Sequence, residues 1–341
     1  MTEIVKKRSQ SIDMVKGLSI MTLFYLHFEN GWMNIDYNIF LVRSPAFYMV
    51  VGWLWGMSSN RRTVKEHWAK RLKGLVKPYL WFSLIFLIFD VIMVLLHQFD
   101  SFVIWRDIYK TLCLRGIGTL WFLPALLGGE MLFLYLRDRS WTLKGITYVI
   151  TFMLIVGYGY WLSHCNYSIP HLKEIIDAPF RVVQDVSNAF IYISVAYYTS
   201  LNVGKRIFNA NKSQLFFAGF AFLTLAFLIL NFSLSTIDFV YNFMFILGNL
   251  CAGYGILFFF KSIENIKLIE KPLAYCGRNS LTIMAVHFCL LFPIARAIDK
   301  SIFHNTEYYG NQTIVYFLIA IVIQIGIIEL VNRKFKFIIG K

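Results

Sequence analysis

The chain has 341 residues, of which 58% are hydrophobic and only 15% charged, with 33 Lys and Arg against 19 Asp and Glu. An ordinary soluble chain is roughly 45–50% apolar and about 25% charged. A chain this apolar, with 33 Phe and 19 Tyr against seven Pro, is excluded from both the soluble and the disordered classes. It reads as an integral membrane protein, so the net charge of +14 points to cytoplasmic loops and anionic lipid rather than to nucleic acid.

A spanning helix needs about 20 mostly apolar residues. In chain order the sequence offers ten such stretches, near 12–28, 40–57, 76–96, 120–136, 143–162, 186–203, 214–232, 239–260, 280–296 and 313–331. The runs are continuous, without the alternation of a membrane barrel. With the N-terminus inside, the inner segments carry 24 Lys and Arg and the outer loops eight, Lys16 lying within the first span. That bias predicts an all-α bundle of ten spans with both termini cytoplasmic, a multi-pass protein of the cell membrane. The outer loops 97–119 and 163–185 are too short for a soluble catalytic module, so residues 1–341 read as a single domain. No small-residue cleavage site follows the first apolar run, so no cleavable signal peptide is expected. The five cysteines show no metal-ligand spacing, and only Cys113 and Cys165 are placed to meet in an oxidising compartment.

Ionisable groups inside the bilayer are expensive, at least roughly 2.5–3.5 kcal/mol for a charge at the centre, and usually face a bundle interior or a wet cavity. The first span carries three. At 100° per residue, Lys16 and His27 lie about 20° apart around the helix and about 16 Å apart along it, and Asp13 lies within about 60° of Lys16. One face thus holds a carboxylate, a cation and an imidazole, the pattern of a lined cavity. On the second span Gly52 and Gly56 form a Gly-x-x-x-Gly packing face. The inner loop from Arg61 to Lys73 is the densest basic stretch, either an interfacial helix on anionic lipid or a dock for a phosphate-rich ligand. On the fourth span Glu130 follows Gly128-Gly129, where small residues admit another backbone, and reads as either a structural carboxyl or a catalytic one. On the ninth, Ser280 and His287 share a face. Asn279 or Ser280 either caps that helix or, with Arg278 and His287, lines the same cavity as Lys16. No P-loop, G-x-G-x-x-G, G-x-S-x-G or H-E-x-x-H is present, which leaves a nucleotidase, an α/β-hydrolase and a metalloprotease unsupported.

The stretch Asp13-x-x-Lys16-Gly17 through His27 resembles the opening helix of the membrane-bound acyltransferase-three family, in particular its fucose 4-O-acetylase-like branch. Four further stretches resemble that family in the same order: the Pro45, Phe47, Tyr48 and Gly52 entry to the second span, Arg71 through Pro78-Tyr79, Leu120-Trp121-Phe122-Leu123, and Gly277 through His287. The chain departs from it at Arg43-Ser44, where relatives often show His-Met, and at Val51-Gly52, where they show Ser-Gly. The resemblance implies transfer of an acetyl group from acetyl-CoA, a donor substrate rather than a resident cofactor, to a hydroxyl of a cell-envelope carbohydrate. It implies catalytic roles for His27, Glu130 and His287; the carboxylate partner of His27 is left open between Glu130 and Glu29, the latter alternatively a solvated surface group. It further implies substrate contacts from Asp13, Lys16, Arg71, Tyr79, Trp121, Arg278, Asn279 and Ser280. A transporter or flippase for a lipid-linked saccharide is the competing class, but the paired, interrupted helices of inverted repeats are not found. A polysaccharide polymerase would carry a larger outer loop.

Overall fold

A computed structural model describes residues 9–27, 44–58, 63–164, 172–232, 238–302 and 312–341, and the regular elements among them are all helical. The first two apolar stretches form α1 (Gln10–His27) and α2 (Ser44–Met57). Part of the basic loop then folds as α3 (Val64–Arg71). Its start is a capping box: the Thr63 hydroxyl accepts from the Glu66 N–H, and the Glu66 carboxylate accepts from the Thr63 N–H. A π turn at Leu72–Val76 carries α3 without a break into α4 (Lys77–Leu95). After α5 (Phe102–Leu112), a 3-10 turn at Gly118–Trp121 leads into α6 (Phe122–Arg137). The chain continues through α7 (Trp141–His164), α8 (Leu172–Phe208), α9 (Lys212–Phe232) and α10 (Asp238–Ser262). It then forms α11 (Lys267–Arg278) and α12 (Ser280–Val286), followed by a π turn at His287–Leu291. The last helices are α13 (Phe292–Ile302) and α14 (Gln312–Lys334), and a 3-10 turn at Lys336–Ile339 ends the chain.

Among the described residues five helices are long and apolar enough to cross a membrane, six if the bent α11–α12 pair counts as one span. Two stretches differ in shape from the sequence expectation. The stretch at 186–203 lies inside the 37-residue α8, which continues unbroken through Pro179. The stretch at 280–296 does not stand alone: α11 precedes it and meets it at 62°. Asn279 holds that bend. Its amide donates to the Tyr275 carbonyl of α11, and its Oδ1 accepts from Asn332 of α14.

Close approach between helices is written in small residues, since backbones can meet only where no Cβ intervenes. A Cβ at Gly17 of α1 would collide with the Leu273 carbonyl of α11, and one at Gly277 with the Asp13 carbonyl, so these two helices touch backbone to backbone. The Gly52 and Gly56 face serves the same purpose between α2 and α8, against the carbonyls of Ile193 and Tyr197. Gly129 lets α6 meet Ala189 of α8. This packing brings α1 to the centre of the bundle, where Met14, Ile20 and Phe24 are buried.

Candidate active site

The Lys16 end of α1 borders a cavity of about 720 Å³, walled by α1, α2, α3, α6 and the start of α12. Among the described residues Lys16, Lys70, Arg71 and Arg137 give it four cationic side chains, with Asp13 the acidic one, and Phe47, Trp55 and Phe122 supply aromatic surface. Cations gathered around a concave space raise the local concentration of anions, and guanidinium groups match phosphate oxygens in geometry.

One wall of this cavity is fixed by Glu130. Its carboxylate is fully buried and accepts from both Nε (2.6 Å) and Nη2 of Arg71. The His67 Nε2–H adds a third bond to Oε2 at 2.9 Å. His67 and Arg71 lie four residues apart, so α3 presents them on one face and docks through both. The Trp55 and His67 rings meet edge to face with centroids 4.8 Å apart. With both oxygens already accepting, Glu130 is arranged as an anchor for Arg71, at the Lys16 end of the bundle and away from His27.

At the other end of α1 stands a histidine pair. His287 opens the π turn after α12 and is fully buried. Its Nδ1 lies 2.8 Å from the Ile283 carbonyl; a carbonyl only accepts, so Nδ1 carries the proton. In the neutral ring Nε2 is then an acceptor, and it faces His27 Nδ1 at 2.8 Å. His27 therefore donates from Nδ1 and carries its lone pair on Nε2. The two rings stack with centroids 5.1 Å apart and planes at 15°, walled by Phe24, Phe288 and Phe292. The Thr119 hydroxyl donates to the Met284 carbonyl and ties the 3-10 turn before α6 to this helix. The position expected for a carboxylate beside His27 Nδ1 is held by His287, and Glu29 lies outside the described residues.

The remaining expected residues divide. Ser280 lines the cavity beside Lys16. Asn279 is occupied with the bend, and Arg278 is exposed and outside the cavity lining. Tyr79 is buried and donates to the Thr111 carbonyl at 2.8 Å, which holds the end of α5. Trp121 lies 5.8 Å beneath the Arg115 guanidinium. Cys165 falls outside the described residues. Sequence reasoning passed over His67 and Arg137. The Thr63-x-x-Glu66 spacing was a usable signal, because a helix starting there puts His67 and Arg71 on one face.

The family model for acyltransferase family 3, described as an acyltransferase domain, matches residues 9–331. The chain belongs to acyltransferase family 3. No curated relative and no solved structure matches it. The matched range takes in both ends of α1, the α3–α6 wall and the His287 turn, so the cationic cavity and the histidine pair both lie within it.

Proposed function

We propose that this membrane acyltransferase moves an acetyl group from cytoplasmic acetyl-CoA to a hydroxyl of a cell-envelope carbohydrate, as an O-acetyltransferase of ten spans with both termini in the cytoplasm of the cell. The observation that carries the reading is the hydrogen-bond chain from the Ile283 carbonyl through His287 to His27. The Ile283 carbonyl sets His287, His287 sets His27, and the base lone pair ends on His27 Nε2. A sugar hydroxyl is a poor nucleophile until a base takes its proton, and a neutral imidazole is suited to that near pH 7.

The CoA phosphates sit in the cavity of Lys16, Lys70 and Arg71, and the pantetheine arm runs along the polar face of α1. Lys16 and His27 are about 16 Å apart along the helix, of the same order as that arm. His27 Nε2 takes the hydroxyl proton as the oxygen attacks the thioester carbonyl. The C–S bond then breaks, the ester forms, and the proton passes to the departing CoA thiolate. Lys16 and Arg71 bind donor, with Asp13 and Ser280 beside them in the same lining. The 24-to-8 bias of basic residues supports the orientation.

The test is whether purified protein in detergent releases free CoA thiol from acetyl-CoA only when an oligosaccharide is offered, with an O-acetyl ester in the product. Saccharide movement across vesicles without ester formation would assign a transporter instead. Orientation is checked with single cysteines: Lys65→Cys and Lys267→Cys are expected to resist an impermeant maleimide in intact cells, and labelling of either would invert it.

A further inference from the structure

The proposed reaction needs a seat for its acceptor, and the His27 end of the bundle holds a polar cluster that neither the cavity nor the histidine pair uses. Arg115, in the turn before Gly118–Trp121, faces Asp185 of α8 with Nη1 and Oδ2 3.6 Å apart, beyond hydrogen-bond range. Both atoms are buried without a hydrogen-bond partner. So are the hydroxyls of Tyr48 on α2, Tyr158 on α7 and Tyr192 on α8. These groups are neighbours. Tyr48 and Tyr158 each interact electrostatically with Asp185, and the Tyr48 and Tyr192 rings stack at 6.5 Å. Buried polar groups in native proteins are nearly always hydrogen-bonded, so five without a hydrogen-bond partner, two of them a loose ion pair, mark a site that a bound molecule completes.

The inventory says what kind of molecule. Arg115 donates, Asp185 accepts, three phenol hydroxyls do either, and the Trp121 ring lies 5.8 Å from the Arg115 guanidinium. Adjacent hydroxyls of a sugar ring donate to a carboxylate and accept from a guanidinium together, while the C–H face of the ring suits an indole. Arg181 also interacts electrostatically with Asp185, so the pairing of a donor with an acceptor, rather than net charge, is what selects a polyol. The cluster has an open edge, since the Arg115 and Asp185 side chains are 18% and 16% exposed.

Its position is also apt. Thr119 bonds Met284, three residues before His287, and a Cβ at Gly118 would collide with Cys289 Sγ. Arg115 is four residues from Thr119, a span of at most about 14 Å. The subsite and the histidine pair are thus joined through one short segment, Arg115 to Thr119, that packs on the His287 turn.

We infer that Arg115, Asp185, Tyr48, Tyr158 and Tyr192 form the subsite for the carbohydrate acceptor, a placement that rests on the acetyl-transfer reading above. The experiment is saturation-transfer NMR on the full chain in detergent, with methyl glycosides of glucose, galactose, fucose, rhamnose and N-acetylglucosamine as probes. At least one glycoside is expected to receive saturation. Asp185→Asn and Arg115→Met are each expected to weaken it about tenfold or more, the scale of losing a hydrogen bond to a charged group. Tyr192→Phe, which keeps the ring and deletes only the hydroxyl, is expected to weaken it several-fold should the charge variants fail to fold. Acetyl-CoA binding by calorimetry should be unchanged in all three. No saturation of any probe, or equal saturation in wild type and variants, overturns the subsite and leaves the cluster holding solvent only. The two readings fail separately. Acetyl transfer that ignores all three substitutions sinks the subsite and keeps the reaction, whereas Asp185-dependent glycoside binding without acetyl-CoA turnover does the reverse.

Discussion

Among the described residues, α1 borders at its Lys16 end an open cavity of about 720 Å³ with four cationic side chains, whereas at its His27 end it meets a buried imidazole and a wall of phenylalanines. The first region works through charge and tolerates water. Lys16, Lys70 and Arg137 are long side chains around a space, Arg137 pairing with Asp138 at 3.1 Å, and Arg71 is clamped by Glu130 and the neighbouring His67. The second region works through direction: one carbonyl and two rings, each hydrogen bond deciding which nitrogen of the next ring holds a proton. Holding a multiply charged group takes field strength, and taking a proton takes a lone pair at one place. A helix about 16 Å long between Lys16 and His27 keeps the two requirements apart.

The comparison breaks most sharply at His27. His27→Ala is expected to lower kcat about 10²–10⁴-fold, the range of a general base, with acetyl-CoA affinity by calorimetry unchanged. A variant that keeps half the wild-type rate would reduce His27 to an interfacial ring. Next in size is Glu130→Ala, which leaves Arg71 and His67 facing a buried gap. Removing one partner of a buried pair costs about 3–5 kcal/mol, seen as a lower thermal midpoint in detergent together with a raised KM for acetyl-CoA. An unmoved midpoint would show that α3 docks without it.

Lys16→Ala should raise KM for acetyl-CoA about tenfold or more and leave kcat nearly intact, since anchoring the donor is uniform binding. Lys16→Arg should stay near wild type. Normal donor binding by Lys16→Ala would place the donor elsewhere. The smallest effect is expected at His287→Gln, whose amide can still donate to the Ile283 carbonyl and accept from His27, so activity should fall less than about tenfold. His287→Leu leaves His27 Nδ1 without that acceptor and should fall further. Equal rates in the two variants would show that His287 acts by packing alone.

Much of the first helix was legible before any folding. Asp13, Lys16 and His27 share a face because the helical period is a property of the local chain, and Lys16 and Asp13 do line one cavity. The Gly52 and Gly56 spacing likewise announced a close helix contact, though not that α8 would make it. Glu130 was marked as costly to bury and left with two meanings. Its pairing with Arg71 and His67 depends on α3 folding back over α6, which no local period encodes.

The sequence by itself marked the chain as a membrane protein, set how its basic residues cluster along the chain, and put a cation and an imidazole in line on one helix. These follow from composition, charge count and a 100° step, all of which are local. Only the tertiary structure decided that His27 meets His287, 260 residues away, that Asn279 bends the helix that delivers it, and that Arg115 and Asp185 face each other across a gap. Those contacts join separate helices, and which helices meet is set by where a missing Cβ lets two backbones touch. That depends on both partners at once.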